Sequence, residues 1–151
     1  MHLAHYLTLL QTAERDLASA LRAVAEAHHE EPAVQDTARL TAGWADEHAE
    51  RLQAFVDRYA PLAPDAPEEL HVDLFRGPRT GGLAYLRDLH DLVLQATTCD
   101  VSWTLVGQAA KGARDEELTA AVRACDGETG RTLAWLTTLL KTSATQALVV
   151  A

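Results

Sequence analysis

The chain has 151 residues, the size of a single domain built around one core. Apolar residues make up 48% of it but aromatics only 5%, so the core must be built from Leu, Ala and Val, a composition that favours helices and leaves no strand signal. With 22 acidic residues against 13 Lys and Arg, the formal charge of −9 and the lack of a basic stripe exclude nucleic acid as an expected partner.

The opening Met1-His2-Leu3-Ala4-His5-Tyr6 has no basic region followed by an apolar run and a cleavage site, so it does not read as a secretory signal, and a cytoplasmic location is expected. From about residue 2 to 30, Leu3, Leu7, Leu10, Glu14, Leu17, Leu21, Val24 and His28 recur at steps of four and three, which predicts a long first helix with one face turned inward. Pro32 cannot continue that helix but suits the first turn of a new one. A second helix is predicted over 32–59, with Val34, Thr37, Thr41, Trp44, His48, Leu52, Phe55 and Tyr59 on its inner stripe. The tight connection makes this pair antiparallel.

Over 60–82, Pro61, Pro64, Pro67, Pro78, Gly77, Gly81 and Gly82 exclude a regular helix and predict a long crossover. Its apolar middle, Leu70 to Phe75, is expected to lie across the bundle. A third helix is predicted over 83–111, stopping at Gly112, with Leu86, Leu89, Val93, Ala96, Asp100, Trp103 and Gly107 inward. Asp115, Glu116 and Glu117 then favour the start of a fourth helix over 115–141, whose inner stripe is Leu118, Ala121, Cys125, Glu128, Thr132, Trp135 and Leu139. Cys99 and Cys125 read as reduced, apolar-packed thiols.

Residues equally far from an antiparallel turn share a height, because each helix rises about 1.5 Å per residue. By that arithmetic Glu14 is level with His48, and Asp100 with Glu128, each pair near the middle of its helices. Buried charges are costly unless paired or metal-bound, so the coincidence predicts an internal polar layer.

At these positions the chain resembles the ferritin and rubrerythrin-like family, in which the first helix supplies a Glu, the second a Glu-x-x-His, the third a Glu and the fourth another Glu-x-x-His. The resemblance spans all four helices and implies an all-α, ferritin-like up-down-down-up four-helix bundle with a long crossover between the second and third. Matched residue by residue, Glu14 is kept; Ala45-Asp46-Glu47-His48 keeps the His and loses the Glu. Asp100 stands where Glu is expected, and Glu128-Thr129-Gly130-Arg131 keeps the Glu and replaces the His. Arg131 carries a permanent charge, so it would stand in for a cation and pair with Glu14, Glu128 or Asp100. The resemblance therefore implies a degenerate di-iron site, no cofactor, and a non-catalytic interaction or scaffold module. The alternative is an iron- or manganese-binding oxidase using Glu14, His48, Asp100 and Glu128.

The remaining histidines carry weaker signals. His2 and His5 have metal-ligand spacing at a helix end that should fray into solvent, His28 and His29 suit the negative end of a helix dipole, and His71 and His90 have no companion motif. From Leu92 to Ala110 the only charge is Asp100, yet Gln95, Thr97, Thr98, Ser102 and Gln108 argue against a membrane span. Such a helix should be covered on more than one side, either by the crossover or by a second subunit, so a homodimer is expected.

Overall fold

The computed structural model describes residues 1–66 and 70–150. Four long helices account for most of them: α1 (Leu3–Ala27), α2 (Pro32–Tyr59), α3 (Ala84–Ala113) and α4 (Glu116–Thr145). A short 3₁₀ turn, Ala60–Leu62, follows α2, and a π turn, Gln146–Val150, follows α4. There is no strand among the described residues, and no helix among them is long and apolar enough to cross a membrane.

The helices form a ring of contacts in which α1 touches α2 and α3, and α4 touches α3 and α2. On α1 the inner stripe holds through Leu3, Leu7, Leu10, Glu14, Leu17, Leu21 and Val24. Pro32 occupies the first turn of α2, where its missing N–H would have had no partner. Small residues widen the buried face of α2, with Ala38, Ala42, Ala45 and Ala49 buried beside Val34, Thr41, His48, Leu52 and Phe55. Thr37 and Trp44 lie half-buried at its margin.

Helices α3 and α4 keep part of the expected stripes, with Leu89, Ala96, Trp103 and Gly107 of α3 and Leu118, Ala121, Cys125 and Thr132 of α4 buried, but each buried face is wider than expected and extends to one side. On α3 the buried face also takes in Asp88, Leu92, Gln95, Cys99, Ser102, Val106 and Ala110, and Leu86, Val93 and Asp100 lie at its edge. On α4 it passes from Cys125 through Thr129, Thr132 and Leu136, which leaves Glu128, Trp135 and Leu139 half-buried. Gly112 does not end α3. The helix continues to Ala113, and Arg114 takes the left-handed conformation at φ 57°, so its N–H reaches back to the carbonyls of Ala110 and Lys111. Asp115 caps α4 by accepting from the Leu118 N–H at 2.9 Å.

The crossover is tied down at its far end. Asp88, fully buried at the start of α3, accepts hydrogen bonds from the Arg79 N–H at 3.1 Å, from Arg79 Nη1 at 3.0 Å and from His28 Nε2 at 2.7 Å. Arg79 Nη2 also donates to Asp91 at 2.7 Å. His28 is therefore held by a carboxylate across the bundle, a more specific partner than the helix dipole expected for it. Gly77 and Gly81 supply the positive φ values, 113° and 96°, that the chain needs to reach α3. Leu74 and Phe75 lean on the groove between α1 and α3, whereas Pro67 lies outside the described residues.

Candidate functional site

The centre of the bundle holds a hydrogen-bonded group drawn from all four helices. Glu14, 1% exposed, is held on α1 among Leu10, Leu17 and Leu21. Its Oε1 accepts from Trp103 Nε1 of α3 at 2.6 Å, from Thr129 Oγ of α4 at 3.4 Å and from His48 Nδ1 of α2 at 3.3 Å. His48 Nε2 in turn faces Glu128 Oε1 at 3.3 Å. Trp103 also turns its ring edge-on to the imidazole, with centroids 5.8 Å apart.

An ionised carboxylate only accepts, so an imidazole bonded to one through each nitrogen must carry a proton on both. Burial opposes that charge on His48, but the hydrogen bonds it donates to Glu14 and Glu128, and the fields of those carboxylates, outweigh it and hold the pKa above its ordinary value. The imidazolium thus stands between the two carboxylates. Glu14 and Glu128 contact opposite nitrogens of the ring, an arrangement for an ion pair and not for three ligands aimed at a common point.

Glu14, His48 and Glu128 come together as expected, and two other expected members do not. Asp100 is half-buried and forms no side-chain hydrogen bond or ion pair among the described residues; Trp103 takes the α3 place in the layer. The cause is the phase of α3, whose buried arc passes between Cys99 and Ser102 and leaves Asp100 at the margin. Arg131 is exposed, with its guanidinium 5.4 Å from the centre of the Trp44 ring, and among the described residues it pairs with neither Glu14, Glu128 nor Asp100. The buried side of α4 runs through Thr129 and Thr132, which turns Arg131 outward. Ala45, where the resemblance expects a Glu, is 2% exposed and packed in the apolar core.

Trp103 and Thr129 were the members missing from the sequence reading. A signal existed for the first, because a buried indole N–H needs an acceptor and Glu14 is the buried acceptor at its height. Cys99 and Cys125 are both buried and free. Burial, with the fields of Glu14, Asp16 and Asp100, pushes the Cys99 thiol well up. Burial likewise raises Cys125 to about 11, against the opposing field of Arg51 and with help from Glu14, Glu128 and Asp126. Both stay protonated and unreactive at neutral pH.

His71, for which no companion was expected, has two. Its Nε2 lies 3.2 Å from Asp16 Oδ2 on α1 and 3.8 Å from Asp73 Oδ1 on the crossover. At the start of α1, His2 and His5 face each other with ring centroids 5.8 Å apart, and His5 Nε2 is buried without a partner. Comparison with known protein families, characterised proteins and solved structures gives no significant match, so the reading of function rests on this geometry.

Proposed function

We propose that this chain is a ferritin-like bundle in which an internal ion pair has taken the place of a di-iron centre, and that it works as a non-catalytic interaction or scaffold module. The observation that carries the reading is the His48 imidazolium bridging Glu14 and Glu128, with Trp103 and Thr129 supplying the remaining donors to Glu14. These bonds satisfy the layer internally, without a cation. The up-down-down-up course is supported by contacts at the helix ends. His28, just past α1, meets Asp88 at the start of α3, and Tyr59, the last residue of α2, donates to Asp115, the cap of α4.

The interaction face we assign is the outer side of α3. Leu94, Val101 and Leu105 form an exposed apolar stripe there, 43%, 51% and 45% accessible. The crossover covers the Gln95 and Thr98 side of α3 but not this one. Because the chain carries a charge of −9, a second copy meets least repulsion on the face where Leu92 to Ala110 contributes only Asp100. A homodimer is the expected form.

Two measurements test the reading. Fe²⁺ in air should produce no oxygen consumption above the buffer rate; consumption that disappears in Glu14→Gln and persists in His71→Gln would restore the oxidase alternative. Light scattering should give a dimer that Val101→Glu and Leu105→Glu convert to a folded monomer. A monomeric wild type would remove the assigned face.

A further inference from the structure

We propose that Asp16, His71 and Asp73 form a binding site for a first-row divalent transition cation, Mn²⁺ or Zn²⁺, with Gln95 as an additional oxygen donor. One ligand atom from each of the three residues lies within 4.8 Å of the others, and they are the one such trio among the described residues. Donors around a single ion, at about 2.0–2.2 Å from it, are roughly 3 to 4 Å apart, and the observed 3.2 and 3.8 Å fall in that interval.

Hydrogen bonding explains this arrangement poorly. Both carboxylates approach the same ring nitrogen, which carries at most one proton, and 3.8 Å is too long for a hydrogen bond. Two carboxylates converge here with no Lys or Arg paired to either among the described residues, so negative charge gathers at one point and a cation would offset it.

An independent observation comes from α3. Gln95 is 7% exposed, yet its Oε1 has no hydrogen-bond partner, an uncommon condition for a buried oxygen. Gln95 lines the same cleft as Asp16 and His71, and it shares the adjoining cleft with Asp16 and Asp73. The first cleft offers about 20 Å³, the space of one water-sized occupant.

One imidazole nitrogen and three oxygens make a mixed donor set. Calcium takes oxygen ligands alone, whereas Mn²⁺ and Zn²⁺ accept imidazole together with carboxylate. The donors come from α1, the crossover and α3, so the ion would hold the apolar middle of the crossover on the bundle.

The test is calorimetric titration of the metal-free full chain with MnCl₂ and, separately, ZnSO₄. We expect one ion per chain, a higher melting temperature on addition of metal, and loss of roughly tenfold or more in affinity in Asp16→Asn and in His71→Gln. Both side chains are partly exposed, so both variants should keep the wild-type circular dichroism. Mn²⁺ should broaden the His71 ring resonances and leave those of His48 sharp. Unchanged affinity in His71→Gln and Asp16→Asn would overturn the proposal, as would binding that is lost in a His2→Gln/His5→Gln variant instead. Failure to bind either metal would overturn it too, and would leave the reading of the central ion pair untouched.

Discussion

The bundle contains two clusters with the same inventory, one imidazole and two carboxylates, built in opposite ways. In Glu14–His48–Glu128 each carboxylate takes a different ring nitrogen, and the ring is sealed among Trp103, Thr129 and the leucines of α1. In Asp16–His71–Asp73 both carboxylates approach the same nitrogen, at the surface. The first engages both ring nitrogens, and the second crowds two carboxylates onto one. Asp16 follows Glu14 by two residues on α1, so a half-turn of helix separates a group that closes the core from one that faces outward. The difference teaches that composition alone does not make a metal site. What counts is whether the carboxylates take separate ring nitrogens or converge on one.

That contrast predicts unequal sensitivity to mutation. The largest effect should come from His48→Ala, which leaves Glu14 buried opposite no positive charge; breaking such a pair costs about 3–5 kcal/mol, readable as a lower urea midpoint. His71→Ala should change the midpoint of the metal-free chain by about 1 kcal/mol or less, since its partners are exposed. Equal losses in the two variants would erase the distinction.

Next comes Trp103→Phe, which keeps a ring in place and removes the N–H that reaches Glu14 at 2.6 Å. A hydrogen bond to a charged acceptor contributes about 1.5–3 kcal/mol, and urea denaturation should show a loss of that order. The pH dependence should be gentler, because a deprotonated His48 still donates from one nitrogen. Its pKa is raised in the folded chain, so the contribution is complete below the ordinary value of 6.5 and declines as pH rises through the folded value. Unfolding midpoints followed from weakly acidic to alkaline pH should therefore fall, and the fall should flatten in His48→Gln. The smallest effect belongs to Arg131→Ala, which loses one exposed stacking contact with Trp44, about 0.5–1 kcal/mol. A loss of several kcal/mol there would return Arg131 to the buried layer that the ferritin resemblance implied for it.

How much was legible varied by helix, for a physical reason. On α1 and α2, polar outer residues alternate with the apolar stripe, so the inward phase could be read, and Glu14 and His48 meet as their heights required. On α3 apolar residues occur all round, and Leu94, Val101 and Leu105 could as easily have faced inward as Leu92, Cys99 and Val106. Packing against α1 and α4 buries a wide face, from Leu92, Cys99 and Val106 to the expected Leu89, Ala96 and Trp103, and leaves Asp100 at its margin. Arg131 owed its expected place to the ferritin resemblance alone, and on α4 the buried face takes Thr129 and Leu136 beside the expected Cys125 and Thr132. The Asp16–His71–Asp73 trio gave no sequence signal, because its members are brought together only by the path of the crossover over α1.

Asp88 has a consequence for the order of assembly. Each antiparallel pair, α1 with α2 and α3 with α4, is made of contacts between chain segments joined by a short turn, and such local pairs form early and cheaply. The carboxylate of Asp88 is different, since its donors arrive from the end of the first pair, His28, and from the end of the crossover, Arg79. Until both arrive, burying it would strand a charge, so the two halves gain little from docking piecemeal. Asp88 thus makes the closing of the bundle a concerted event. The Arg79 amide, though it belongs to no helix, should exchange its hydrogen more slowly than an exposed loop amide, because the carboxylate that holds it is buried and tied to His28 of the other half.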